Sequence, residues 1–205
     1  MAVTFTPTTV TNPEGVQGTY PQRMVPGHEG MVADLQACVI RSYRNQSGAA
    51  LPFGALLAVD NTPTSNDTYA VDLAGAATNI VGLAVSTLTF EGNTGGSAYT
   101  PNPTPIAADG SGRMGYPNEK TLNVLSKGVV WVYTAEAVAL DDEVRAFITN
   151  YNGTLAGAYQ GRFGKTAVAA NTVLLGGARW LSETSAAGLA LLELDIPATT
   201  FTADS

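Results

Sequence analysis

From residue 31 onward the apolar positions fall in short bursts broken by Gly, Pro, Asn and Asp, and no window keeps a 3.6-residue apolar period for three helical turns. The bursts predict strands at 37–44 ("ACVIRSYR"), 53–59 ("FGALLAV"), 68–73 ("TYAVDL"), 80–90 ("IVGLAVSTLTF"), 120–126 ("KTLNVLS") and 128–134 ("GVVWVYT"). They continue at 143–149 ("EVRAFIT"), 157–163 ("GAYQGRF"), 177–183 ("GARWLSE") and 188–195 ("GLALLELD"). Turn-forming clusters such as "NQSG", "DNTPTSND", "NYNG" and "TSAAG" separate them. Strands at this spacing without helical crossovers predict a mainly β protein, a β-sandwich or barrel-like body of short antiparallel strands. One passage, "KTAVAANTVLLGGA" at 165–178, has enough Ala and Leu for two helical turns.

Three regions break the pattern. Residues 1–30 hold four prolines, and five threonines fall in the first eleven positions, with isolated apolar side chains at Val3, Phe5 and Val10. Such a segment neither nucleates a helix nor buries enough to fold alone. It reads as an extended N-terminal arm, either unstructured or laid across a partner. Residues 91–118, inside the 31–197 β body, are rich in Gly, Pro, Asn and Ser and are longer than ordinary hairpin loops. This long irregular loop is either a solvated excursion or a surface ordered by contact, a role its Tyr99 and Tyr116 would suit. Residues 198–205 read as a C-terminal tail.

The apolar run Val129–Tyr133 has no polar face. A sheet wetted on one side does not need that, so a second sheet or a second subunit is expected to cover the other side.

Composition sharpens this picture. Only 13% of the 205 residues are charged, about half the usual share, so the surface is weakly protected against association. The net charge of -7, with ten scattered Lys and Arg, argues against nucleic-acid binding. No apolar run reaches the 18 residues of a membrane span, and no basic, then apolar, leader opens the chain. The single cysteine, Cys38, allows no internal disulfide and reads as a small buried hydrophobe. Without a visible export route the Asn45, Asn66 and Asn152 sequons carry no weight.

The chemistry-bearing motifs are incomplete as catalytic sets. "GKT" at Gly164–Thr166 resembles the end of a phosphate loop, but the required glycine five positions earlier is Tyr159. The lone histidine, His28, has too few companions for a nucleophilic set or a metal site. Asp141, Asp142 and Glu143 form the densest acidic group, yet consecutive carboxylates splay apart in a strand or turn, and Asp is a favoured turn former. They read as a solvated turn; an acid pair with distant Glu193 or Asp195 is left open. No cofactor and no small-molecule substrate is expected.

In order along the chain, "ALPFGALLAV" (50–59), "IVGLAVST" (80–87), "LNVLSKGVVWVYTAEAVALDDEVRA" (122–146) and "GGARWLSETSAAGLALLELDIP" (176–197) resemble the capsid cement, or decoration, proteins of tailed bacteriophages. No one motif is diagnostic; the order is. The arm and the 91–118 segment depart from the shared pattern. The resemblance implies a structural, non-enzymatic virion protein: a homotrimer on the outer capsid surface near local three-fold axes, made in the bacterial host cytoplasm. It would bind the major capsid protein and stabilise the mature head. The candidate contact residues are Val3, Phe5, Val10, Tyr20, Tyr99, Tyr116, Trp131, Tyr133 and Trp180. The rival is a β-sandwich carbohydrate-binding or adsorption module that stacks ligands on Trp131, Tyr133 or Trp180.

Overall fold

The computed structural model describes residues 27–59, 69–86, 115–151, 153, 155, 158–196 and 198–205, and among these it contains strands and no helix. The strands are β1 Val32–Asn45, β2 Leu51–Pro52, β3 Leu56–Val59, β4 Ala70–Leu73, β5 Ile80–Val85, β6 Gly115–Tyr116 and β7 Thr121–Thr134. They continue as β8 Arg145–Phe147, β9 Phe163–Gly164, β10 Thr172–Gly176, β11 Arg179–Trp180, β12 Gly188–Asp195 and β13 Thr200–Ala203.

Five pairings close on themselves: β1 with β4, β4 with β3, β3 with β5, β5 with β7, and β7 back to β1. One cluster takes a side chain from each strand of this ring: Tyr43, Leu57, Val71, Ala84, Leu122 and Val124, joined by Leu51, Phe53 and Tyr116. The intervening residues Leu56, Ala58, Leu83, Val85 and Leu125 face the other way, into the larger core with Val130, Val132, Phe163, Trp180 and Leu192. Continuous apolar runs such as "ALLAV" and "IVGLAV" are thereby explained. Their strands separate two cores, so both faces are buried.

The second arc of the sheet also grows from β7, which pairs in parallel with β9 at Thr134↔Phe163, followed in order by β8, β10 and β13. Alongside it β12 pairs with β7 in unbroken register from Gly188↔Thr134 to Asp195↔Lys127, and β11 adds to β12.

Several expectations change. The sheet is mixed rather than antiparallel throughout, since β1–β4 and β7–β9 are parallel, and two strands run to 14 residues. Residues 120–126 and 128–134 are one strand, not two. Gly128 lets it pass straight through: its φ is 138°, and a Cβ there would lie 3.1 Å from the Cβ of Cys38, where β1 bulges against β7. Gly82 plays the same part where β5 meets β7, because a Cβ would collide with the Leu125 carbonyl. "KTAVAANTVLLGGA" is a turn and strand β10: the Thr172 hydroxyl accepts from the Val168 amide and bonds Asp204 (2.5 Å), which tertiary contact holds extended. The 157–163 strand shrinks to Phe163–Gly164. The tail contains β13, paired with β10 from Gly176↔Thr200 to Val173↔Ala203.

Candidate interaction surfaces

Alternation along β7 produces two different faces. Val130 and Val132 point into the main core and are fully buried, while Val129, Trp131 and Tyr133 point outward and stay half-buried. Register then builds an outward face across three strands. Leu191 lies opposite Trp131, Leu189 opposite Tyr133, and Glu193 opposite Val129. On β11, Trp180 turns inward and Leu181, whose amide bonds the Leu191 carbonyl, is 38% exposed. The face ends in ion pairs, Lys127–Asp195 (2.6 Å) and Arg179–Glu193.

The chain itself covers part of this face. Gly27 is buried directly on the indole of Trp131, too close for any side chain. Between Gly27 and β1, Gly30 donates to the Trp131 carbonyl and the Trp131 amide donates to Met31, so the segment runs along the edge of β7. Arg162 stacks its guanidinium 4.0 Å above the Tyr133 ring and lies 3.7 Å from the Glu29 carboxylate. A guanidinium over an aromatic face with a carboxylate alongside is a strongly held arrangement at a buried site. Trp131 and Tyr133 are therefore not open stacking platforms.

On the opposite edge of β7, β1 is a different object. Its register slips between Val32 and Asp34, between Asp34 and Val39, and between Val39 and Ile40. On either side of the last slip, Val39 and Ile40 are each 40% exposed, on neighbouring positions that a regular strand would send to opposite faces. Among the described residues no strand pairs with Val39–Tyr43 on the side away from β7. An open strand edge that carries exposed aliphatic side chains is a template for association.

The acidic and glycine-rich motifs are used internally. The "GKT" loop does wrap an anion, but the anion is Glu136: its carboxylate accepts the Lys165 and Thr166 amides (2.8 Å each) and the Thr166 hydroxyl (2.7 Å). Asp142 caps its own turn by accepting the Ala139 amide (2.7 Å) and pairs with Lys165 at 2.9 Å. The Ala139 bond, then Lys165, holds its carboxyl below the usual carboxylate range, and Asp142 in turn raises the Lys165 ammonium. Glu143 pairs with Arg145, which also reaches Asp204 and the Lys165 carbonyl. The solvated-turn reading fits Asp141 and Glu143, which are both exposed, while Asp142 is partly buried; Asp142 and Glu143 also tie the turn to the 164–166 loop and β8. Glu193 and Asp195 are held by Arg179 and Lys127. His28 shares a 2.7 Å hydrogen bond with Ser86, and Cys38 packs against the main core. Among the described residues no group of three or more His, Cys, Asp or Glu side chains could hold a metal.

Of the nine sequence-derived contact candidates, Val3, Phe5, Val10, Tyr20 and Tyr99 lie outside the described residues. Tyr116 and Trp180 are core side chains: Tyr116 donates to the Val85 carbonyl at 2.6 Å and meets Phe53 edge-on, and Trp180 is buried in the main core. Burial removes both as surface contacts. Trp131 and Tyr133 share the outward face. Sequence reasoning missed Leu181, Leu189 and Leu191, although "GLALLEL" carries the same two-sided apolar signal as "VVWVY". Val39 and Ile40 were read as ordinary strand residues, and only the register slips put both at the surface.

A search of curated proteins finds no match. Among solved structures, a chain from the capsid of Myoviridae phage XM1 superposes with a TM-score of 0.55 at 17% identity, covering 88% of this chain and 98% of that one. The likeness is one of fold. The family model of the phage structural cement proteins matches residues 16–195, nearly the whole of the β body and the end of the arm. This chain, whose described body is built of strands and whose acids and glycine loop serve its own turns, belongs to the phage structural cement protein family and has a structural role in a phage capsid.

Proposed function

We propose that this chain is a cement protein of the outer capsid surface, which binds the major capsid protein as a homotrimer near local three-fold axes and stabilises the mature head. The observation that carries the reading is the exposed Val39–Ile40 edge of β1 in a chain of the cement family. A lattice clamp gains affinity by summing modest contacts over several subunits, and an open, aliphatic strand edge repeated three times supplies such contacts. The arm candidates Val3, Phe5 and Val10 would add further ones. No reaction is needed for the role, and the acidic groups are absorbed by internal ion pairs.

Co-sedimentation with the cognate expanded heads tests the reading. Saturable binding is expected at micromolar protein, with weaker binding to unexpanded heads. Failure to pellet with expanded heads would sink it. Light scattering on the free protein tests the trimer separately, and a strict monomer at all concentrations would remove that part alone.

A further inference from the structure

Besides its two exposed aliphatic side chains, β1 offers a backbone ladder. The Arg44 amide, on the side away from β7, donates to the Tyr69 carbonyl at 2.9 Å, while the next amide, that of Asn45, donates the other way, to the Lys120 carbonyl just before β7. From Ile40 to Arg44 the pairing with β7 runs without a slip. Amides and carbonyls alternate between the two edges of a strand, so those of Ser42 and Ile40 point as Arg44 does, away from β7. β4 takes up that edge at Arg44 and Asn45, and among the described residues no strand takes it up at Ile40 or Ser42. We propose that an extended, acidic segment of the major capsid protein adds to this edge as a strand over residues 39–43, with a carboxylate on Arg41.

Three observations choose that partner. First, ladder groups set beside exposed Val39 and Ile40 are satisfied together only by another extended chain, which bonds the backbone and lays alternate side chains on the aliphatic pair. Tyr69, 61% exposed and edge-on to Tyr43, stands at the end of the stretch and offers the added strand an aromatic contact. Second, Arg41 is exposed and, among the described residues, enters no ion pair, whereas Lys127, Arg145, Arg162, Lys165 and Arg179 each pair with a carboxylate. A guanidinium left over in a chain of net charge -7 selects an acid on the incoming strand. Third, a second copy of the same edge fits badly: "VIRSYRN" (39–45) holds two arginines and no acid, so edge against edge gathers like charge.

The inference rests on the cement reading, and its test separates the two. Deuterium uptake at the Ile40 and Ser42 amides is compared between the free full-length chain and the chain on expanded heads. Both amides should exchange rapidly in the free chain and at least about tenfold more slowly on heads. Slow exchange in the free chain would give the edge to this chain or to a second copy, and fast exchange on heads would leave it unpaired; either result overturns the assignment. As a second readout, Ser42→Pro removes one outward amide while leaving the β7 ladder intact, and should weaken co-sedimentation with heads at least about tenfold. Ser42→Ala, which loses only the hydroxyl bond to Asn123, should bind within about twofold of the natural chain. Arg41→Glu should weaken binding about tenfold and Arg41→Lys less than about threefold. Undiminished binding by Arg41→Glu contradicts the acidic partner. If the natural chain itself does not pellet with heads, the cement reading falls and this inference with it, whereas binding that leaves both amides exchanging fast removes the strand addition alone.

Discussion

β1 and β12 both pair with β7, and they differ in nearly everything else. β12 keeps one register for eight residues, with Ala190, Leu192 and Leu194 buried at alternate positions. β1 is nearly twice as long, changes register three times, and leaves Val39 and Ile40 at the surface. The contrast separates two uses of an apolar side chain. Where register is regular, alternation sends every second side chain into the core and the strand serves the fold. Where bulges interrupt it, neighbouring side chains emerge together, and nothing else among the described strands covers them.

Breaking β12 should cost most. Leu192→Ala empties a fully buried site in the main core and should lower unfolding stability by about 3 kcal/mol in a denaturant titration. Next comes the point where the β1 bulge presses on β7. Gly128→Ala forces a side chain into a φ of 138° against Cys38 and should cost about 2 kcal/mol, measured in the same way. If Gly128→Ala were neutral, the bulge would be soft and the contrast with β12 overstated.

Altering the exposed part of β1 should separate binding from folding. Val39→Lys with Ile40→Lys should change stability by no more than about 0.5 kcal/mol, while weakening head binding at least about tenfold in co-sedimentation. Unimpaired binding would mean that this edge is not the contact.

The smallest effect belongs to a carboxylate that serves only its own turn. The Asp142 carboxyl is held below its ordinary range when folded, so its contribution is complete at neutral pH and is lost as pH falls through the folded-state value. Asp142→Asn should therefore be slightly less stable than the natural chain at pH 7, and the gap should close as pH drops below about 4. Head binding should be unchanged.

The strand positions were largely readable because buried faces leave apolar runs: β3 and β5 are buried on both faces, and β7 and β12 pair a buried apolar face with a half-buried one. Less was readable where a single residue decides between turn and strand. Lys127-Gly128 looks like a break, and becomes an uninterrupted strand because glycine accepts the φ of 138° in the tight space beside Cys38. The candidate surface was half legible. Aromatic character drew notice to Trp131, Tyr133, Trp180 and Tyr116 alike, but side-chain type cannot say which way a strand faces or what lies above it.

The sequence by itself determined that the protein is built of strands and that several of them are covered on both sides. It also carried the order of strands that marks the family. Tertiary structure alone decided that β7 joins a five-strand ring to a second arc, that Glu136 is the anion held by the "GKT" loop, and that Val39 and Ile40 reach the surface. The physical reason is the range of the interactions. Apolar period and turn chemistry act between near neighbours in the chain and are written there, whereas pairing register, bulges and ion pairs depend on residues tens of positions away.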